Sequence, residues 1–336
     1  MRRVALILTL LLAPTVLLAQ RATQIQLATI LPANSLWDKS LRQMGADWEK
    51  ATDGRVRMRM FPGGAQGDES TIIRRLKLGT PQAAAFSQPG LAEIDDAFNV
   101  FGIPFFFDSD EEMRYVLEKL EPMLTQRLEK HGLVFLNWGH GGWAHVFTTS
   151  AVRTLDDIKR HKIFTTAGGD KMVQWYKQNG FQPVPLPITE VLLGLNTGLI
   201  SAYPSPPYLA LLLQWYSKAP YMLDVLLGPV IGATVITEAA WKRIGAEDQE
   251  EILEICGDLE DRLMTDVPAQ ERSSIEEMKK RGLTVATLDA AAQAGFHAAA
   301  EKLTASMRGW MVPADVYDAA FRERNAFRAG GSGFSR

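Results

Sequence analysis

Hydrophobic positions along this chain change period in a regular way. Gln24 to Leu31 is a short, mostly apolar run, which predicts a strand. Trp37, Leu41, Met44 and Trp48 follow at steps of four, three and four, the spacing of one helix face. Val56, Met58 and Met60 then alternate with Arg57 and Arg59, as in a half-buried strand. Ile72, Ile73 and Leu76 mark a second helix stopped by Gly79, and Ala83 to Phe86 a short buried strand. Ser109 and Glu112 form a capping box after Phe105-Phe106-Phe107. The helix it opens carries Met113, Val116, Leu117, Leu120 and Leu124, and Leu133 to Trp138 is the next strand. This β-α-β-α-β-α-β order predicts an α/β layer with parallel strands.

The pattern then recurs. Lys162 to Thr165 reads as a strand, Asp170 to Gln178 as a helix and Gln182 to Pro187 as an extended segment. A short helix from Thr189 ends at Thr197-Gly198. Leu199 to Tyr203 is a strand entering Pro204-Ser205-Pro206-Pro207, whose prolines predict a fixed loop and argue against a central strand beyond this point. Ile252, Cys256, Leu259 and Leu263 share one face of a helix expected from about Glu247 to Lys280, kinked at Pro268. A strand from Leu283 to Leu288, an alanine-rich helix and a last helix near Val316 to Phe327 complete the pattern. Gly330-Gly331-Ser332-Gly333 is expected to be mobile. Two α/β units without a long flexible linker imply tightly coupled lobes.

Composition narrows the class. The chain has 336 residues, 46% hydrophobic and 22% charged, the balance of a globular protein of one or two domains. A net charge of −3 supplies no basic field for nucleic acid. A single cysteine excludes an internal disulfide and a cysteine-built zinc site, and Cys256 reads as buried rather than reactive. Arg2 and Arg3 precede an apolar run from Val4 to Leu18, and Ala19 offers a small residue for cleavage, the pattern of a secretory signal peptide. Leu17 is bulky for the position it would occupy, so a cut after Ala22 is the alternative. A membrane anchor is the competing reading, but about 15 apolar residues is short for a span. The mature protein is therefore expected to be exported to the periplasm.

Catalytic motifs are missing. Gly63-Gly64-Ala65-Gln66-Gly67 lacks the spacing and the following Lys-Ser/Thr of a phosphate cradle. His140-Gly141-Gly142-Trp143 is like an oxyanion-hole loop, but no G-x-S-x-G supplies a nucleophile. His131, His140, His145, His161 and His297 include no pair spaced to hold zinc from one helix. Asp68-Glu69 and Asp95-Asp96 are expected to face water, and Asp156-Asp157 to start a short helix. No cofactor and no required metal are implied. Two lobes around a hinge, with no catalytic machinery, point to a cleft that closes on a ligand.

Five stretches carry a resemblance. They are Thr52-Asp53-Gly54-Arg55-Val56 with Phe61-Pro62; Leu76-Lys77-Leu78-Gly79-Thr80; Ile103-Pro104-Phe105-Phe106-Phe107; Thr154-Leu155-Asp156-Asp157-Ile158-Lys159 with Lys162-Ile163; and Val184 to Val191 with Leu195-Asn196-Thr197-Gly198. In order and spacing they resemble the substrate-binding proteins of TRAP transporters, the DctP-like family. The resemblance implies a two-lobed α/β periplasmic-binding-protein-like fold with a long helix bridging both lobes. It also implies a receptor that delivers a small-molecule ligand to the small and large TRAP membrane subunits of an ion-coupled permease. A monomer is expected.

Where the chain departs from the family pattern, it departs in one direction. Family members usually follow the Lys162-Ile163 pair with an arginine that forks onto a ligand carboxylate; here Phe164 stands there. Trp143-Ala144-His145 carries no arginine where a second basic contact often lies. The resemblance maps a family acidic position onto Pro204 and a ligand-binding asparagine onto Ser205. Ile188 matches a position that often holds a ligand-facing aromatic, and Gln88 lies in a contact region. Trp138 and Trp143 flank a glycine-rich turn, His140 within it could donate one hydrogen bond, and Tyr203 and Tyr208 flank the proline loop. Trp37 completes the candidate set, although its helix face is also a core position. Arg74 and Arg75 are expected to face solvent.

Aromatic walls favour an uncharged or largely apolar ligand, such as a lipid-like, aromatic or terpenoid molecule. The alternatives are an organic acid held by a substitute cation, a ligand-sensing subunit of a signalling system, and an enzyme on the same scaffold. The expected organisation is a signal peptide at 1–19, one lobe from 20–146 plus 231–272, a second from 147–230 plus 273–328, and a mobile tail at 329–336.

Overall fold

A parallel core opens the chain. Strand β1 (Thr23–Thr29) leads through helix α1 (Leu36–Ala51) to β2 (Val56–Phe61), then through α2 (Glu69–Leu76) to β3 (Ala83–Ser87). The computed structural model describes residues 22–166 and 170–331. The expected signal peptide lies outside the described residues, as do Ser332 and Gly333 of the expected tail. β1 pairs in parallel with both β2 and β3. Trp37, Leu41, Met44 and Trp48 are all buried, as their spacing requires. Ser35 caps α1 by accepting the Asp38 N–H, and Asp68 caps α2 by accepting that of Thr71.

After α3 (Gln88–Ile94) and a 3-10 helix over Asp96–Gly102 comes α4 (Asp110–Lys130). Ser109 caps it, but the Glu112 carboxylate accepts the Asp108 N–H instead of reaching back to Ser109. Strand β4 (Leu133–Thr148) follows and is 16 residues long. It runs straight through Gly139 to Gly142, where the sequence suggested a turn. The glycines are absorbed as a register shift between His140 and Trp143 rather than a reversal.

The second unit contains α5 (Leu155–Lys159), β5 (Lys162–Thr166), α6 (Asp170–Gln178), β6 (Gln182–Leu186), α7 (Val191–Thr197), β7 (Ala202–Ser205) and α8 (Pro207–Leu212). Thr154 and Asp157 close a reciprocal capping box on α5, which accounts for the Asp156-Asp157 pair. Gly198 ends α7 in the left-handed conformation. β7 continues to Ser205 and carries Pro204 opposite Val146 of β4, so the first two residues of the expected loop are strand, while Pro206 leaves the sheet and Pro207 opens α8. β5 pairs with β7 only at Ile163 and Ala202, so Pro204 lies past that pairing on an open edge, where a missing N–H is tolerated.

Strand β8 (Tyr221–Thr237), 17 residues long, was not anticipated by the hydrophobic pattern. Helices α9 (Glu238–Trp241) and α10 (Ala246–Lys280) follow it, then β9 (Thr284–Ala286), α11 (Ala290–Thr304) and α12 (Ala314–Gly331). α12 includes Gly330 and Gly331, which had been expected in the tail.

The sheet order is β2-β1-β3-β8-β4-β7-β5-β6, with β9 on β8. β8 is antiparallel to both β3 and β4, so β4 runs with β1 to β3 yet touches none of them. β4 is in turn antiparallel to β7, while β8 runs parallel to β9. Each lobe is thus a parallel sheet plus one reversed strand supplied by the long β4–β8 pair that crosses between them. α10 ties the lobes a second time. Its Ile252, Cys256, Leu259 and Leu263 pack with α1, while Met278 packs with Phe147, Phe164, Tyr203 and Trp215.

Candidate functional site

A cavity of about 620 Å³ lies where β3, β4 and β8 face β5 and β7. Ile30, Leu31, Trp37, Leu41, Phe86 and Phe101 line it from one lobe, and Phe164, Ile188, Pro204, Leu209 and Trp215 from the other. Leu227, Pro229, Val230 and Ile231 of β8 form the strip between. Charged side chains in the wall are Glu93, Asp96, Asp170 and Lys171. No arginine lines the cavity among the described residues. Lys171, at the start of α6, is paired with Asp96 of the 3-10 helix, an ion pair between the two lobes.

The cavity gathers seven of the sequence candidates: Trp37, Gln88, His140, Phe164, Ile188, Pro204 and Ser205. Phe164 meets Trp215 edge-on at 6.5 Å. Trp37 is fixed by its indole N–H, which donates to the His140 carbonyl at 3.0 Å. Gln88 donates to Asn99 at 3.3 Å, and the Ser205 hydroxyl donates to the Pro206 carbonyl at 3.0 Å. The His140 ring is 1% exposed, with Nε2 3.4 Å from Asp110, and neither ring nitrogen makes a hydrogen bond.

Trp138, Trp143, Tyr203 and Tyr208 are not among the wall residues. Trp138 is fully buried among Phe98, Phe101 and Phe135, and its indole donates to Glu121 at 2.8 Å. The Trp143 indole donates to Asp110 at 2.8 Å. Tyr203 stacks flat on Phe147 at 5.0 Å inside the second lobe's core. Tyr208 supports the wall from behind, edge-on to Trp37 at 5.3 Å, with its hydroxyl accepting the Leu36 N–H. All four sit on strands or helices whose facing the local pattern left open.

Sequence reasoning missed Trp215, Phe101 and the whole β8 strip. Trp215 follows Gln214, whose left-handed backbone turns the chain into the wall. The Lys171–Asp96 pair had no local signal, because its partners are 75 positions apart.

Carboxylates of α10 hold the strand irregularities behind the cavity. Glu260 accepts the Trp138 N–H at 2.8 Å and Glu271 that of Trp143 at 2.9 Å, each beside a register shift in β4. Trp143 pairs with Pro229, which has no N–H to give in return. Burial pushes Glu260 up to about 7 and Glu271 up to about 8, against the lowering effect of those same N–H donors. Burial also acts to raise Asp110, but the nearby His140 ring and the indole N–H of Trp143 outweigh it and leave Asp110 below the usual range.

The family model for bacterial extracellular solute-binding protein, family 7 (DctP), matches residues 27–309. An uncharacterized protein of Haemophilus influenzae is 26% identical over 204 residues, 60% of this chain and 61% of its own length. A solute-binding protein of Chromohalobacter salexigens is 25% identical over 228 residues, 66% of each chain. The chain thus spans just under two thirds of the length of these two relatives. The 2,3-diketo-L-gulonate-binding periplasmic protein YiaO of Escherichia coli is 24% identical over 243 residues, 71% of this chain and 73% of its own. Among solved structures, a TRAP periplasmic solute-binding protein of Xanthobacter autotrophicus with bound β-D-galacturonate has a TM-score of 0.82 at 25% identity, covering 90% of this chain and 99% of that one. DctP7 of Bordetella pertussis, a receptor binding pyroglutamic acid, reaches 0.83 at 19% identity, covering 90% and 100%.

Proposed function

Because the chain belongs to the bacterial extracellular solute-binding proteins of family 7, we propose that it is an extracytoplasmic TRAP receptor whose cleft holds a neutral, largely apolar organic molecule. It hands that molecule to the TRAP membrane subunits. The family is one of receptors, not enzymes. The lobes close because the ligand binds the closed arrangement more tightly than the open one.

One observation carries the ligand class. The wall is built of aromatic, aliphatic and proline side chains, no arginine lines it among the described residues, and its lysine already has Asp96 as partner. A carboxylate buried there would lack a free cation, at a cost of several kcal/mol. Apolar surface gains roughly 25 cal/mol per Å² on leaving water. Solved neighbours carry sugar acids such as galacturonate and glucuronate, so the difference between this wall and an anion site bears the weight of the reading.

A second reading follows from those neighbours: Lys171 leaves Asp96 and grips an acid. Calorimetric titration with D-galacturonate separates the two. Binding weaker than about 1 mM is expected for the native protein. Micromolar binding abolished by Lys171→Met would overturn the neutral-ligand reading in favour of the acid.

A further inference from the structure

One ion pair crosses the cavity. Lys171, in the first turn of α6, meets Asp96 in the 3-10 helix, and both side chains line the wall. Among the described residues it is the only salt bridge that joins the segment 151–219 to the rest of the chain; Lys159–Asp156 and Arg160–Asp157 stay at α5. Each partner is placed by its own lobe. Asp95 caps the 3-10 helix by accepting the Ala97 N–H and is held by Arg127, which leaves Asp96 at the start of that helix. Lys171 sits at the positive end of α6, where a cation gains nothing from the helix and is stabilised by a carboxylate brought from elsewhere. The other charged wall residues, Glu93 and Asp170, are both acidic.

We infer that Asp96 is a built-in carboxylate that sets the specificity of the cleft: it occupies the cavity's lysine and, by the same bond, latches the lobes together around the ligand. This rests on the neutral-ligand reading above and supplies the means by which such a receptor closes. The ammonium and the carboxylate meet only when the lobes approach, so their attraction stabilises the closed arrangement alone. A neutral ligand need then only fill the cavity. An acid must displace Asp96 and also meet the like charges of Asp96, Glu93 and Asp170. The Lys171 and Asp96 side chains are 41% and 42% exposed, so salt screens the latch.

The test joins a distance measurement to a titration. Spin labels on Lys50→Cys in α1 and Lys177→Cys in α6, both exposed positions, report the separation of the lobes, and the native Cys256 is buried. In the ligand-free protein the distances are expected to shift to longer values in Asp96→Asn, in Lys171→Met and in about 1 M salt. Calorimetric titration with D-galacturonate then tells the two variants apart. Asp96→Asn is expected to bind the acid about tenfold more tightly than the native protein does, and Lys171→Met no more tightly. Asp95→Asn removes the same charge one position away, outside the cavity wall, and is expected to match the native protein in the titration. Distances unchanged in both latch variants would overturn this inference and leave the neutral-ligand reading standing. So would an acid affinity that does not rise in Asp96→Asn, or that rises equally in Asp95→Asn. Micromolar binding of D-galacturonate by the native protein, lost in Lys171→Met, would overturn that reading and this inference with it.

Discussion

Phe164→Arg should convert the receptor from one that keeps a neutral passenger into one that is stabilised by a sugar acid. Phe164 is 6% exposed and packs with Leu186, Val191, Leu195 and Trp215 while facing the cavity. Losing a buried phenylalanine costs about 3–5 kcal/mol, and placing a guanidinium among aliphatic neighbours adds to that. The variant is therefore expected to be less stable than the native protein by about 3 kcal/mol or more when empty. A carboxylate ligand would partner the new charge. At 100 times its dissociation constant, D-galacturonate would restore about 2.7 kcal/mol, an effect absent from the native protein. Thermal melts with and without the acid read this directly. A variant that melts like the native protein and ignores D-galacturonate would remove Phe164 from the binding wall.

Gly232→Ala should be the most damaging small substitution in the sheet. A Cβ at Gly232 would lie 2.4 Å from the Phe86 carbonyl oxygen, and a backbone oxygen in a strand ladder cannot swing aside. β3 and β8 would have to part at the Ser87–Gly232 pairing, on the cavity wall. A loss of more than about 3 kcal/mol is expected, the upper range of overpacking. Gly139, its partner in β4, provides the control, because a Cβ there would meet its nearest atom at 3.8 Å. Gly139→Ala should change stability by less than about 1 kcal/mol. Urea midpoints at unchanged slope measure both. Similar small shifts for the two variants would show that β3 is not held so closely to β8.

Local periodicity carried the helices well. α10 begins one residue before the expected start and ends at the expected Lys280, because its apolar stripe and terminal charges are local signals. α6 has the expected bounds for the same reason. β8 escaped because it is apolar on both faces and interrupted by Gly228, Pro229 and Gly232, so it shows neither alternation nor a clean run. β4 was cut short because Gly139 to Gly142 looks like a turn until β8 is present to absorb the irregularity.

The aromatic candidates divide along the same line. Phe164 and Trp37 reached the cavity; Trp138, Trp143 and Tyr203 turned into cores. On a strand, neighbouring side chains face opposite ways, and each register shift in β4 exchanges the faces. Proximity to a glycine pair therefore identifies the neighbourhood but not the side. The loss of a cation at the Phe164 position was legible from one residue. The pairing of Lys171 with Asp96 was not, because it exists only once the lobes meet.

The neutral, apolar character of the ligand is the central claim, and native mass spectrometry of the purified protein tests it most directly. The bound species would be released, extracted into organic solvent and identified. An uncharged molecule of mainly hydrocarbon character, lost in Phe164→Arg, is the result expected. A galacturonate-like sugar acid or a dicarboxylate, held at full occupancy with Phe164 in place, would contradict it.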